Sequence, residues 1–425
     1  MRVRPASVLR AALLVFTLTN LGRIPILDLG DREAPILVND LAVGALVVVG
    51  AIAMARARSA KLSDVALTAT AFCAIGALSA VAAIPRFGLN AFEVAAGLAY
   101  LARWILYFMV YVTIVNCIRE GDVDRVWRTL EVALLLFAAF GVVQSAFLPD
   151  LGVTLSPEDR PLDAYDPQGQ RLVSTVLEPN IAAGMLLTVL LVQIAQLAYG
   201  VRMPMWKPGF LLVALILTIS RSGALAFVVG VGVILVVRGL RKRALKFGAL
   251  GALMGVAAAP LVWGFVQKNA RLGVTDASAL SRVVSWQRAI STFWENRWFG
   301  VGFNTYGFVQ EHRGFERVGG SSYSVEGGLL FVAVMTGIVG LCVYSGMLWA
   351  AVRRCRAIWR DHMATPAERG LALGAAAATI AICVHSVFVN SLLTPWVMEP
   401  LWVLWGLTFI VATALRSRRV AAEAA

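Results

Sequence analysis

Isolated arginines in a strongly apolar chain are the residues best suited to chemistry. Arg171 precedes an apolar run that starts near Asn180, and Arg221 stands between two serines inside another apolar stretch. An arginine near membrane depth is costly and is normally paired or functional. Its planar guanidinium is always charged and binds phosphate oxygens in a bidentate manner, so these arginines indicate a pyrophosphate-like anion. The alternative for each is a side chain that reaches the lipid headgroups, which explains Arg171 better than Arg221.

A second group of candidates lies in a long polar segment. Arg282, Trp286 and Arg288 share a stretch whose apolar residues recur at helical spacing, which predicts an amphipathic helix at the membrane interface. The stripe consists of Val283, Trp286, Ile290 and Phe293. Gly300 and Gly302 follow as a turn, and no strand precedes them, so they are weak evidence for a nucleotide site. An interfacial helix with basic edges explains the pattern almost as well as a binding role.

Glu326 and His312 are the candidate acid–base groups. Glu326 lies at the predicted mouth of a membrane helix, where it either caps that helix, worth less than about 1 kcal/mol, or serves as a base that faces a cavity. Spacing alone favours the cap. The three histidines, His312, His362 and His385, do not have zinc-ligand spacing. No P-loop and no nucleophile elbow occurs. We therefore expect neither a metal nor a cofactor.

Composition places these residues in a membrane protein. Hydrophobic residues make up 59% of the 425 positions and charged residues only 15%. A soluble domain carries about 25% charged residues. Backbone polar groups must be satisfied internally in a bilayer, so each long apolar run should be a helix. The predicted fold is an all-α, polytopic membrane helical bundle, with residues 1–425 as one integral-membrane domain. The net charge of +13 falls in short clusters between the runs, which argues against a nucleic-acid partner.

About twelve transmembrane helices are predicted, separated by loops of alternating charge. The predicted spans are 8–22, 37–55, 65–85, 94–117, 130–148, 180–200, 209–219, 222–237, 244–265, 328–350, 370–390 and 396–415. The stretch 209–237 is either one long helix or two short arms broken at Ser220–Gly223, and two arms preserve the alternation. The positive-inside rule places the basic loops and both termini in the cytoplasm. The long loops 149–179 and 266–327 are then periplasmic, on the side of all the candidate segments.

These segments also resemble motifs of the O-antigen ligase and polymerase superfamily. Arg171–Asn180 resembles its R-x-x-G-T-F-x-x-P-N stretch, and Ser220–Arg221 resembles its T-x-S-R-G helix. Arg282–Trp286, followed by Gly300–Gly302, resembles its R-x-x-x-W and G-x-G loop. His385–Gly406 is similar to the last two helices of the family. The resemblance follows the family's order from about residue 165 to residue 410.

The resemblance implies a fold and an activity. The fold is a bundle of the integral-membrane glycosyltransferase type in the bacterial cytoplasmic (inner) membrane, with its active site facing the periplasm. Members transfer glycans carried on undecaprenyl diphosphate to lipid A-core, to another repeat unit or to protein, in the biosynthesis of lipopolysaccharide, exopolysaccharide and other parts of the cell envelope. The implied chemistry is metal-independent and inverting, and the pyrophosphate leaves with the assistance of arginines.

Two residues depart from the family pattern. Ligases of the family usually carry H-N-x-x-L before the tenth span, and counting back from Gly337 places Glu326 at that histidine. Ser174 replaces the glycine of G-T-F. The resemblance implies that arginines stabilise the leaving group and that Glu326 activates the acceptor hydroxyl. The expected catalytic residues are Glu326, Arg282 and Arg221, and the expected substrate-binding residues are Arg171, Arg288, Asn180, Trp286 and His312.

Two other classes of function stay open. A transporter or flippase for an anionic lipid or sugar should show charges in helix middles and two related halves, whereas here the charges cluster on one face and no internal repeat is visible. A non-catalytic membrane subunit would account for the missing histidine. The sequence does not distinguish a ligase from a polymerase.

Overall fold

The architecture is almost entirely helical. A computed structural model describes residues 4–24, 36–58, 60–155, 170–240, 277–315 and 325–424. Its helices are α1 Pro5–Val15, α2 Val38–Ala57, α3 Asp64–Phe87, α4 Ala91–Cys117, α5 Val123–Phe147, α6 Pro179–Ala198, α7 Trp206–Leu217, α8 Arg221–Val237, α9 Ala277–Glu295, α10 Tyr306–His312, α11 Gly328–Arg360, α12 Pro366–His385 and α13 Pro395–Ala424. A single helical turn covers Leu151–Thr154, and short 3₁₀ turns cover Phe16–Gly22, Glu120–Asp122 and Ser174–Val176. Two short strands, β1 Arg23–Ile24 and β2 Ile36–Leu37, pair in antiparallel orientation.

The predicted polytopic membrane bundle is confirmed. Within the described ranges, nine helices are long and apolar enough to cross a membrane, and α7 and α8 are shorter apolar helices. These nine and two coincide with eleven of the predicted spans. The remaining predicted span, 244–265, lies outside the described residues.

The prediction of two arms in the stretch 209–237 is also confirmed. α7 ends at Leu217 and α8 begins at Arg221. Between them, Ile219 has a φ of +50°, a left-handed conformation that is unfavourable for a β-branched residue. Ser220 then caps α8 by accepting a hydrogen bond from Gly223 N at 3.1 Å. The two helices are therefore separate, and the turn between them is a specific structure.

α6 is a central helix, because 83% of its apolar window is buried inside the protein. Gly370 and Gly374, one turn apart on α12, allow α12 to approach α6 closely. A Cβ at Gly370 would lie 2.7 Å from Gln196 Cα, and a Cβ at Gly374 would be closer still to Val192 Cα. Small residues at this spacing are a common basis of helix packing in membranes. In contrast, only 22% of the α2 window is buried, so α2 lies at the periphery.

Charged side chains inside the bundle are paired. Asp40 on α2 accepts hydrogen bonds from Arg103 and Tyr107 on α4, both at 2.9 Å. Asn39 donates to Tyr107 Oη at 3.1 Å and to Glu399 on α13 at 2.8 Å. Because an ionised group is costly in a membrane unless it is paired, this network ties α2 and α4 to the last helix.

The connections between helices gather at two ends of the bundle. At one end, here called the basic end, Arg353 pairs with Asp64, Arg418 pairs with Glu120 and Glu368, and Arg419 pairs with Asp361. At the other, here called the loop end, lie the described residues that follow α1, α3, α5, α7 and α12, together with residues 296–315 and 325–328. Contacts between these loop-end connections include Thr19 with Thr175, Arg86 with Gly300, Arg171 with Thr218, and Gly328 with Ser386. This grouping agrees with the alternation of loops in the sequence.

Candidate functional site

Arg171 holds the break between α7 and α8. Its Nε donates to the Thr218 carbonyl at 2.9 Å, and its Nη2 lies 3.4 Å from the Ile219 carbonyl. Leu172 N adds a backbone hydrogen bond of 2.9 Å to Leu217 O. The last carbonyls of a helix have no intrahelical partner, and the helix dipole favours a cation there. The guanidinium therefore satisfies acceptors at the end of α7 and is oriented by them.

Glu178, rather than Asn180, caps the start of α6. Its carboxylate accepts hydrogen bonds from Asn180 N at 3.2 Å, from Asn180 Nδ2 at 2.9 Å and from Ile181 N. The preceding carboxylate therefore satisfies N–H groups of the first turn of α6. Burial raises the pKa of the Glu178 carboxyl, although these donors and the charge of Arg171 oppose the shift.

Asn180 links the start of α6 to the start of α8. Ser220 Oγ, on the cap of α8, donates to Asn180 Oδ1 at 2.8 Å. Arg221 is the first residue of α8, and its side chain is exposed. Two helix N-termini thus meet at one hydrogen bond, beside Arg171 and Arg221. Glu178 already accepts from the first N–H groups of α6, so the positive charge here comes from the N-terminus of α8 and from the two arginines, and this charge suits a phosphate-type anion.

The predicted amphipathic helix is α9, and it contacts the segment before α11. Trp286 Nε1 donates to the Glu326 carbonyl at 2.6 Å, and the Trp286 ring lies 6.1 Å from the ring of Phe388. Glu326 N lies 3.5 Å from Ser285 Oγ. The structure therefore brings Trp286 and Glu326 together, although they are 40 residues apart in the chain.

The buried face of α9 differs in part from the predicted stripe. Ala289 and Thr292 are buried, whereas Ile290 is 46% exposed and Trp294 is 62% exposed. The helix thus packs on the bundle through Ala289 and Thr292 together with the partly buried Trp286 and Phe293, and leaves Ile290 and Trp294 exposed. Arg282 lies on α9, but its side chain is outside the described residues.

Arg288 and His312 make packing contacts near α10. The Arg288 guanidinium lies 4.8 Å from the ring centroid of Phe315. His312 Nε2 is 3.0 Å from Glu93 Oε1, and its Nδ1 is 3.2 Å from Phe87 O. The contacts of His312 join α10 to the turn between α3 and α4, and they lead away from the start of α6.

The loop before α10 crosses α11 at two glycines. Gly300 and Gly337 have positive φ angles of +69° and +68°, and a Cβ on either would overlap the backbone of the other segment. We call this contact of residues 297–302 with residues 334–338 the glycine crossing. It is held by hydrogen bonds from Val301 N to Val334 O (2.9 Å), from Gly302 N to Met335 O (3.1 Å) and from Ile338 N to Arg297 O (2.7 Å). The turn predicted at Gly300–Gly302 is therefore part of the scaffold that fixes α9.

The segment after α12 lies between the Asn180 group and Glu326. A Cβ at Gly184, one turn after Asn180 on α6, would lie 3.6 Å from His385 Cε1. The next residue, Ser386, accepts a backbone hydrogen bond of 2.7 Å from Gly328 N, two residues after Glu326. His385 and Ser386 are both buried. The helix starts at Asn180 and Ser220 and the candidate base are thus joined by one short buried segment.

Sequence reasoning missed residues that position this region, among them Glu178 and Arg86. Arg86 donates to the Gly300 carbonyl at 3.0 Å and to Asn296 Oδ1 at 2.9 Å, and so supports the glycine crossing. Two local signals were available. Glu178 directly precedes a proline that begins a helix, and Arg86 is an isolated cation at the end of an apolar run.

Part of the chain matches a known protein family. Residues 209–345 match a family model described as O-antigen ligase. The matched region runs from α7 to α11 and contains Arg221, Trp286 and Glu326, whereas Arg171 and Asn180 precede it. No curated protein matches the chain. The match confirms the resemblance to the O-antigen ligase and polymerase superfamily.

Proposed function

Because residues 209–345 match the O-antigen ligase family, we propose that this chain is a membrane glycosyltransferase of the O-antigen ligase or polymerase type. It transfers or polymerises a glycan from an undecaprenyl-diphosphate-linked donor to an acceptor hydroxyl, at the periplasmic face of the bacterial inner membrane. The acceptor is another glycan, lipid A-core or a further hydroxyl compound. The observation that carries the proposal is the meeting of two helix N-termini at Asn180 and Ser220, with Arg221 at the start of α8.

In this proposal, Arg171, Arg221 and Arg282 bind the pyrophosphate of the donor. Arg171 is already oriented by the carbonyls that end α7. The N-terminus of α8 adds partial positive charge near it. Arg282 comes from α9, one turn before Trp286, whose indole is fixed on the Glu326 carbonyl. Fixed positive charge of this kind stabilises the charge that develops on a leaving pyrophosphate.

Glu326 takes the proton from the acceptor. The acceptor oxygen forms a bond to the anomeric carbon, while the bond from that carbon to the phosphate oxygen breaks. The pyrophosphate leaves with the electron pair, and the hydroxyl proton passes to the Glu326 carboxylate. Attack from the side opposite the leaving group inverts the anomeric configuration. Since arginines supply the positive charge, the proposed reaction requires no metal.

Two of the predicted loops supply residues to the proposed site. The loop 149–179 carries Arg171, and Asn180 and Arg221 lie at the starts of α6 and α8. The loop 266–327 carries Arg282, Trp286, Arg288, His312 and Glu326. In the proposal, Trp286, Arg288, Asn180 and His312 contact the glycan or orient the residues that do. The hydrogen bond from Trp286 to Glu326 and the bond between Asn180 and Ser220 support positioning roles for these two residues.

A transporter is the second candidate. Transporters carry charged side chains within their membrane helices, and this protein does so as well. Here Asp40 pairs with Arg103, and Glu131 accepts hydrogen bonds from Lys207 at 2.7 Å and Gln193 at 2.9 Å. These pairs join neighbouring helices, which gives them a structural role. The paired charges therefore favour the transferase.

A reconstituted transfer assay tests the proposal. The purified chain in lipid nanodiscs receives an undecaprenyl-diphosphate-linked oligosaccharide and either lipid A-core or no added acceptor, and mass spectrometry follows free undecaprenyl diphosphate and glycan products. A ligase yields glycosylated lipid A-core, a polymerase yields lengthened glycan on the donor, and chelation by EDTA changes neither. A donor that stays intact both with and without lipid A-core contradicts the proposal, provided that the chain elutes as a single folded species.

A further inference from the structure

A second polar cavity lies at the basic end, opposite the proposed active site. Its volume is about 490 Å³, and it lies between the start of α3, the end of α11 and the end of α13. Six charged residues line it, namely Arg353, Arg354, Arg416, Arg419, Asp64 and Asp361. No step of the proposed glycan transfer uses these residues.

The cavity carries excess positive charge. Four arginines face two aspartates, which leaves a formal net charge of +2. Arg353 and Arg354 both pair with Asp64, and Arg419 pairs with Asp361 at 2.8 Å. Arg416 is exposed and has no hydrogen bond or ion pair to any residue that the structure describes. The arginines that remain uncompensated give the cavity an affinity for an anion.

An apolar wall extends from this charged rim along α13. Ala412 and Phe409 line the cavity one and two turns before Arg416, at roughly 6 and 10 Å along the helix axis. Leu62 at the start of α3 is 75% exposed and also lines the cavity. The cavity is therefore amphipathic, with charge at the end of the bundle and apolar surface towards the membrane interior.

We propose that this cavity binds an anionic phospholipid of the surrounding membrane. Its phosphate contacts Arg416 and the neighbouring arginines, because guanidinium groups match phosphate oxygens in geometry and charge. Its acyl chains follow the wall formed by Phe409 and Ala412. Basic pockets between membrane helices commonly hold acidic headgroups. A free phosphate would use the arginines but would leave the apolar wall without a function, and the wall therefore favours a lipid.

Native mass spectrometry of the delipidated full-length chain tests this site. Phosphatidylglycerol and phosphatidylcholine with identical acyl chains serve as the anionic and zwitterionic probes. We expect tighter binding of phosphatidylglycerol, weakened about fivefold by Arg416→Ala and largely retained in Arg416→Lys, since one basic residue contributes about 1 kcal/mol towards an acidic lipid. Arg356→Ala is the matched control, because Arg356 is an exposed arginine on α11 that does not line the cavity.

A second variant separates a lipid from a free anion. Ala412→Trp fills the apolar wall without changing any charge, and it should weaken phosphatidylglycerol binding while the elution profile of the chain stays normal. Inorganic phosphate at millimolar concentration should not displace the lipid. If phosphate competes fully, the site is one for a free anion and the lipid assignment is wrong. If Arg416→Ala and Arg356→Ala weaken phosphatidylglycerol binding equally, the binding depends on general surface charge, and the proposed site is wrong.

Discussion

The two ends of the bundle use arginine differently. At the basic end, Arg353, Arg418 and Arg419 pair with carboxylates. At the loop end, Arg171 and Arg86 donate to backbone carbonyls. A carboxylate neutralises a guanidinium, whereas a carbonyl orients it without cancelling its charge.

Neither end is uniform in this respect. At the loop end, Arg313 pairs with Glu295 at 2.9 Å, and at the basic end Arg238 and Arg369 donate to backbone carbonyls. The difference separates arginines whose charge a carboxylate neutralises from arginines that carbonyls orient with their charge intact. It shows that partners are more informative about the role of an arginine than the number of arginines at either end.

The largest expected effect is on the transfer rate, and it compares one carboxylate from each end, Glu326 at the loop end and Asp64 at the basic end. If Glu326 is the base, Glu326→Gln keeps the shape of the side chain and lowers the transfer rate about 10²–10⁴-fold. Asp64→Asn at the basic end should reduce stability, because Asp64 holds two arginines, but should leave the rate unchanged. Transfer rates in nanodiscs and melting temperatures check both variants. Wild-type turnover of Glu326→Gln would remove Glu326 from the mechanism and make His312 the next candidate for the base.

The arginines provide the next comparison. Arg221→Ala and Arg282→Ala should each lower the transfer rate about 10²–10³-fold, the usual cost of removing one group that stabilises developing charge. Arg221→Lys should fail as well if the contact is bidentate.

Arg353→Ala is the control at the basic end. Arg353 is exposed and paired, so its loss should change stability by about 1 kcal/mol or less and leave the rate intact. Glycan product is measured with expression matched by blot. A normal amount of glycan product from Arg221→Ala would show that the Arg221 side chain only contacts lipid headgroups.

The smallest expected effects come from a comparison of two helix caps, one at each end of the bundle. Ser220 caps α8 at the loop end, and Thr365 caps α12 at the basic end by accepting from Glu368 N at 3.2 Å. Ser220→Ala and Thr365→Ala should each cost about 1 kcal/mol of stability. Only Ser220→Ala should also lower the transfer rate, since Ser220 alone donates to Asn180. Equal activity of the two variants would show that the Asn180–Ser220 bond has only a structural role.

The sequence predicted the membrane helices well because their signal is local. The stretch 370–390, for example, corresponds to α12 at Pro366–His385, and the capping box of Thr365 and Glu368 explains the earlier start. The helix ends five residues before the predicted end of the span, because the chain turns at Ser386, whose carbonyl accepts a hydrogen bond from Gly328 N. Run length and loop charge do not encode that turn.

The candidate site was predicted in its parts and not in its assembly. Arg171, Arg221 and Glu326 stood out by type and position, but nothing local joins Trp286 to Glu326 or Asn180 to Ser220. These contacts depend on how α6, α8 and α9 pack against each other. The role of Glu178 as a cap was not predicted, because glutamate is not among the residues usually preferred at the N-cap position.

The glycine crossing has a consequence for how this protein is assembled in the membrane. α11 is interrupted at Gly337, nine residues or roughly 13 Å from its start, and the outer loop completes the hydrogen bonds of Val334, Met335 and Ile338 there. Unsatisfied backbone groups at such depth cost several kcal/mol each. We therefore expect the backbone of α11 to be fully hydrogen-bonded only once residues 297–302 have docked, which predicts docking as a late step of biogenesis. Removing this loop would leave the membrane helix itself incomplete.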